Sequence, residues 1–373
     1  MANVPITVLT GFLGSGNTTL LSRLLKDPGL AGTAVIINEF GEIGLDHDLV
    51  ESADEQIVEL SSGCLCCTVR GDLVETLSDL MPRLNPAQGK RITRVVVETT
   101  GLADPAPIIH TLMSDQRLAL GYRLDGVVTL VDAVNGLGTL DNHFEAVKQA
   151  AVADRLVLTK TDLVEDVSDL EARLRDLNPA APLLNAATLE PMSLFNCGLY
   201  NAETKSTDVK AWLREEAYAE DHHHHGHDHH HGHDHDHGIQ GGGLDPHNGL
   251  NTAPRPHGHD VNRHGDDIEA YCLVREAPIS GFAFQFFLDV LTSHHGEDLL
   301  RVKGILNIAE QPGRPAVIHG VQHVFHPVHW MEEWPSDDHR SRLVFITRGI
   351  PKGRIDKLLS ALDAQVDQIK GEA

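Results

Sequence analysis

The stretch Gly11-Phe12-Leu13-Gly14-Ser15-Gly16-Asn17-Thr18-Thr19 decides how this chain is read. The apolar run at 6–10 before it reads as a buried strand. After it, Leu20, Leu21, Leu24 and Leu25 mark one face of a helix that Pro28 and Gly29 bring to an end. Strand, glycine-rich turn and helix together form the setting of a phosphate-binding loop. Glycines let backbone N–H groups turn inward around phosphate oxygens, and the helix N-terminus adds partial positive charge. Gly11, Gly14, Ser15, Gly16, Asn17, Thr18 and Thr19 are therefore expected to bind a nucleotide, with the Thr18 hydroxyl beside a Mg²⁺ ion. The pattern G-x-x-x-x-G-K-[ST] asks for lysine where this chain carries Asn17.

Working outward, short apolar strands are expected at 34–37, 57–60, 94–98, 126–132, 155–158 and 183–185, separated by helices. Continuous apolar strands alternating with helices predict an α/β fold, a P-loop NTPase domain whose mostly parallel sheet is covered on both faces. In such sheets ligands bind beyond the carboxyl ends of the strands. Each polar cluster considered below leaves the carboxyl end of a predicted strand.

The 373 residues suffice for two domains, and a hydrophobic content of 41% suffices for two cores. No apolar run approaches the ~18–20 residues of a membrane span, and the first residues lack the features of a signal peptide. A cytoplasmic protein without a membrane partner is expected. With 30 Lys and Arg against 54 Asp and Glu, the formal charge of −24 disfavours nucleic acid, whose phosphates need a basic surface.

Beyond about residue 207 the pattern changes. A charged helix over about 208–220 leads into a tract holding His222, His223, His224, His225, His227, His229, His230, His231, His233, His235 and His237. With few apolar residues to bury and no periodicity among them, the segment to 267 is expected to be a disordered linker with many weak, exchangeable transition-metal sites. Order returns at 268–373 as strands at 269–275, 300–308, 316–319, 322–326 and 343–347. Two helices accompany them, one capped by Ser280 and one begun by Pro351, and together they form a smaller α+β domain. Domains at 1–207 and 268–373 thus flank the linker at 208–267. His319, His323, His326 and His329 read as satisfied surface histidines, and Cys197 and Cys272 carry no role.

Three sites carry chemistry. Thr159-Lys160-Thr161-Asp162 resembles the base-reading N/T-K-x-D motif: a carboxylate at Asp162 accepts from both the ring N–H and the exocyclic amine of guanine, and adenine lacks that donor pair. Glu98, at the end of a strand, is placed to hold Mg²⁺ or orient the attacking water, so Glu98 and Thr18 are the candidate catalytic residues. Gly101 would let its backbone approach the γ-phosphate. Cys64, Cys66 and Cys67 form a C-x-C-C cluster suited to Zn²⁺, Cu⁺ or Co²⁺, with Glu39, Glu42 or water free to supply a fourth ligand. In an extended segment Cys67 would point away from the other two, so one ion needs a turn there. A redox pair is the competing reading, without the usual C-x-x-C spacing.

In their order along the chain, Gly11 to Gly16, Asn38-Glu39-Phe40-Gly41, Gly63-Cys64-Leu65-Cys66-Cys67, Glu98-Thr99-Thr100-Gly101-Leu102-Ala103-Asp104-Pro105 and Thr159 to Asp162 resemble the CobW-type metallochaperone GTPases. The histidine tract and an ending similar to the CobW C-terminal domain extend the likeness over nearly the whole chain. The resemblance implies hydrolysis of GTP with Mg²⁺ and delivery of zinc or cobalt, held by Cys64, Cys66 and Cys67, to a client metalloprotein. The rival reading is a metal-buffering protein whose nucleotide site has degenerated at Asn17. A small-molecule kinase on the same fold is a further rival, which the cysteine triplet disfavours.

Overall fold

Seven apolar segments pair side by side in a computed structural model that describes residues 3–37, 57–59, 66–84, 92–197 and 267–372. The strands are β1 (Val4–Gly11), β2 (Thr33–Ile37), β3 (Ile57–Glu59), β4 (Arg94–Glu98), β5 (Tyr122–Asp132), β6 (Arg155–Thr159) and β7 (Leu183–Asn185). Their spatial order is β3-β2-β4-β1-β5-β6-β7, and every neighbouring pair is parallel. Parallel neighbours need crossovers, and the helices α1 (Asn17–Leu25), α2 (Cys66–Leu80), α3 (Ala106–Ser114), α4 (Gly136–Asn142), α5 (Phe144–Val152) and α6 (Ser168–Leu177) lie along those connections.

The continuous apolar character of the strands follows from burial on both faces. On one side Ile6, Val8, Val95 and Val97 pack with Leu73 and Leu77 of α2 and Ile109 of α3. On the other, Leu9, Val35 and Val96 pack with Leu20, Leu21 and Leu24 of α1. Burying one such side chain contributes about 1.5–3 kcal/mol, so the sheet is specified from both sides. The order brings the carboxyl ends of β1, β4, β5 and β6 together, with Leu9 of β1 opposite Glu98 of β4 and Asp132 of β5 opposite Thr159 of β6.

The second unit is an antiparallel sheet of β8 (Ile268–Arg275), β9 (Leu299–Leu306), β10 (Ala316–Val321), β11 (Val324–Phe325), β12 (His329–Trp330) and β13 (Ser341–Arg348). The helices α7 (Gly281–His295) and α8 (Lys352–Glu372) pack on it through Phe284, Phe287, Leu291, Ile355 and Leu359. Ser280 precedes α7 but does not cap it. Its hydroxyl donates to Glu310, whose other oxygen accepts the Gly281 N–H at 2.8 Å, so the cap comes from a distant carboxylate.

The two units share an interface. Val321 of β10 is buried among the α2 and α3 residues of the first unit, and Ala151 of α5 packs with Leu300 and Ile346. At its centre Asp154 is fully enclosed. Its carboxylate accepts from the Val127 N–H at 3.0 Å, from Lys303 at 2.8 Å and from Arg301, which also donates to the Val152 carbonyl. Burial opposes the Asp154 charge, but the cations of Arg301 and Lys303 outweigh it and hold the pKa well below the usual carboxylate range. His319 lies against the same group, 4% exposed, with neither ring nitrogen hydrogen-bonded among the described residues. The expectation of a satisfied surface histidine is corrected here: strand β10 carries His319 into the seam between the units.

Candidate functional site

The phosphate loop takes its shape from three glycines. Gly14 and Gly16 have φ of 75° and 93°, a region L-residues avoid. A Cβ on Gly11 would lie 2.4 Å from Ser15 Oγ and 2.7 Å from the Leu130 carbonyl, so only glycine fits. The Ser15 N–H closes the turn onto the Phe12 carbonyl at 2.9 Å. Helix α1 begins at Asn17, and its first internal bond runs from Leu20 N–H to Gly16 C=O. The preceding amides at the helix start lie outside that ladder and form an anion-binding end. Oxygen donors suited to Mg²⁺ accompany them: the Thr18 hydroxyl in the first turn of α1 and the Glu98 carboxylate, 6% exposed, at the end of neighbouring β4.

Asn17 does not reach outward as a lysine would. Its Oδ1 accepts from Ser15 Oγ at 3.3 Å and lies 3.0 Å from where a Gly11 Cβ would stand, so the amide folds under the loop. Gly101 faces the loop from β4's connection: a Cβ there would sit 2.7 Å from the Leu13 nitrogen. Beneath them the Thr99 hydroxyl donates to the Thr10 hydroxyl at 2.7 Å, joining the ends of β4 and β1.

The 159–162 loop stands beside the phosphate loop. Thr159 Oγ1 donates to the Ser15 carbonyl at 2.7 Å. Lys160 has φ of 55° and places Nζ 2.7 Å from Asp132 Oδ2, while Asp162 is exposed beyond it. Burial works against the Asp132 charge, but hydrogen bonds from Lys160, the Asn135 side chain and the Val134 N–H outweigh it and lower the pKa. The Thr161 hydroxyl donates to Asn185 Oδ1 at 3.2 Å, tying in the end of β7. Asp132 and Asn185 escaped the reading of the sequence, although both end predicted strands, the position that marked every other site.

Of the expected metal ligands, Cys66 and Cys67 are the first two residues of α2, 15 residues long. The chain there is helical, not extended, and the two successive positions stand about 100° apart around its axis. Cys64, Glu39, Glu42 and the histidines 222–237 lie outside the described residues, as does the expected helix at 208–220. Among the described residues no group of three His, Cys, Asp or Glu side chains could hold a metal ion, and no helix is long and apolar enough to cross a membrane.

Residues 5–185 match the CobW/HypB/UreG nucleotide-binding domain family, and residues 268–363 match the cobalamin synthesis protein CobW C-terminal domain. The chain is 31% identical over 364 residues to the zinc chaperone YjiA of Escherichia coli, covering 97% of this chain and 99% of that one. It is 36% identical over 190 residues, about half of either chain, to the zinc-regulated GTPase metalloprotein activator 1 of Schizosaccharomyces pombe. The crystal structure of Zn(II)-bound YjiA GTPase from E. coli is similar over 97% of this chain and 99% of that one, with 26% identity and a TM-score of 0.64.

Proposed function

Because this chain belongs to the CobW family, with a CobW-type C-terminal domain behind the nucleotide-binding domain, we propose that it binds GTP and couples its hydrolysis to delivery of a transition-metal ion, zinc first, to a client protein. One observation carries the proposal. The phosphate loop, Glu98 and the 159–162 loop gather at one edge of one parallel sheet, and Thr159 bonds the base-reading loop directly to the phosphate loop. The similarity to a zinc chaperone over nearly its full length supports the choice of cargo.

In this reading the backbone N–H groups of Gly14 to Thr19 grip the phosphates. Asp162 pairs with the guanine ring N–H and amine, and the Lys160 stem, anchored by Asp132, packs along the base. Glu98 orients the attacking water, and Gly101 brings its backbone toward the γ-phosphate. Thr18 would hold a Mg²⁺ ion, with Glu98 as its further ligand if that carboxylate does not orient the water, and the ion would supply the charge neutralisation that phosphoryl transfer needs. Asn17 supplies no such charge, so turnover is slow for the family while backbone contacts sustain binding. The cargo metal is held by Cys64, Cys66 and Cys67, with Glu39 or Glu42 completing the site. The histidine tract collects metal for it.

Linkage provides the test. If the stretch carrying Glu39 and Glu42 serves both sites, zinc and GTP·Mg²⁺ change each other's affinity by one factor, commonly about 5- to 150-fold. Calorimetric titration of GTP into metal-free and zinc-loaded protein, repeated with Cys66→Ala, reads that factor. Identical GTP affinities throughout would leave two independent sites and remove the switch.

A further inference from the structure

We propose that Gln322, in the C-terminal domain, is a positioning residue of the nucleotide site: it holds the 99–104 loop against the phosphate loop through Asp104. This rests on the reading of that loop as part of a GTP site.

Among the described residues three non-glycine residues have positive φ: Lys160, Asn196 and Gln322. Asparagine tolerates the left-handed region; lysine and glutamine do not. At Gln322 the positive φ is the one required of the first central residue in the two-residue turn that joins β10 to β11, where Val321 pairs with Val324. Both side chains meet an aspartate. Lys160 reaches Asp132, and Gln322 Nε2 donates to Asp104 Oδ2 at 3.2 Å across the domain interface. The backbone at Gln322 is fixed from behind, since its N–H donates to the Leu299 carbonyl at 2.7 Å.

Asp104 is a junction. The same Oδ2 accepts from Lys148 of α5 at 2.8 Å, and Oδ1 accepts the Ala106 N–H at 2.9 Å, at the start of α3. Asp104 closes the loop whose Gly101 abuts Leu13 of the phosphate loop. Gln149, one residue beyond Lys148, donates to the carbonyls of Gly101 at 3.3 Å and Ala103 at 3.0 Å. One helix of the nucleotide domain and one turn of the C-terminal domain therefore hold the loop jointly. The turn is seated by a second contact, His110 of α3 against the Val321 carbonyl at 2.8 Å.

A second chain of contacts runs from the phosphate loop to the same domain. Phe12 stacks on His143 with ring centres 4.5 Å apart, and the guanidinium of Arg348 lies 4.6 Å from the centre of the adjacent Phe144 ring. Displacement of either loop by nucleotide is thus felt at two points of the C-terminal domain, and only the Gln322 contact acts through a single removable amide.

The positive φ makes the test clean. Gln322→Gly deletes the amide while relieving backbone strain, and Gln322→Asn keeps an amide at a tolerated φ. In the full chain Gln322→Gly is expected to weaken GTP·Mg²⁺ binding about five- to tenfold with an undiminished melting temperature. Amide hydrogen exchange at residues 100–104 of the nucleotide-free protein is expected to quicken in Gln322→Gly and to recover in part in Gln322→Asn. Unchanged exchange in Gln322→Gly overturns the positioning role. So does unchanged GTP affinity. A wild-type chain that binds no GTP would defeat the proposed function alone, because loop exchange still decides the role of Gln322.

Discussion

Thr159 Oγ1 donates to the backbone carbonyl of Ser15 at 2.7 Å, across 144 residues of chain. The 159–162 loop and the glycine-rich loop at 11–16 are therefore one unit. Thr159→Val preserves shape and leaves the buried Ser15 carbonyl without that donor, at a cost of about 1–3 kcal/mol. GTP affinity is expected to fall about tenfold, measured by fluorescence titration with a labelled nucleotide; an unchanged affinity would mean the two loops bind separately.

Asn17→Lys is expected to raise GTP affinity and turnover. A hydrogen bond to a charged group contributes about 1.5–3 kcal/mol net, roughly ten- to a hundredfold. The gain depends on releasing the contact of Asn17 with Ser15 under the loop. Lower affinity in the variant would show that the cradle has settled around asparagine.

Asp162 should impose a preference for GTP over ATP. Its substitution by asparagine should move that preference toward xanthosine triphosphate, whose extra carbonyl matches an amide donor. Competition of the three nucleotides for one labelled ligand reads the order. Equal binding of GTP and ATP by the wild type would remove base reading from Asp162.

The interface carries a pH dependence with a definite sign. Burial, and next the charge of Arg301, hold the His319 pKa well below its ordinary value. The groups facing it are Asp154 from the α5–β6 junction, Lys303 and Arg301 of β9, and His326 beyond β10. A group whose folded pKa is lowered binds fewer protons than in the unfolded chain, so stability declines as pH falls below about 6.5, by at most ~1.4 kcal/mol per pH unit. His319→Phe should flatten the slope of denaturation midpoints between pH 6.5 and 5. Asp154 adds to the loss below about pH 4, where its unfolded carboxyl begins to protonate. An unaltered slope in His319→Phe would place the titrating group elsewhere.

Much of this molecule was legible in its local sequence. All seven parallel strands and the phosphate loop follow from runs of apolar residues and from glycines that no other residue can replace, and such signals are complete within ten residues. That α2 already begins at Cys66 was not legible in the C-x-C-C spacing itself. The seam between the units could not be read at all. His319 has the surroundings of a surface histidine in sequence and those of a buried one in space. Lys303 stands 149 residues from the Asp154 it neutralises, and Gln322 stands 218 from Asp104. Periodicity and turn chemistry report on neighbours along the chain, whereas desolvation and charge pairing are set by neighbours in space. Only packing of the two sheets brings those partners within hydrogen-bonding distance.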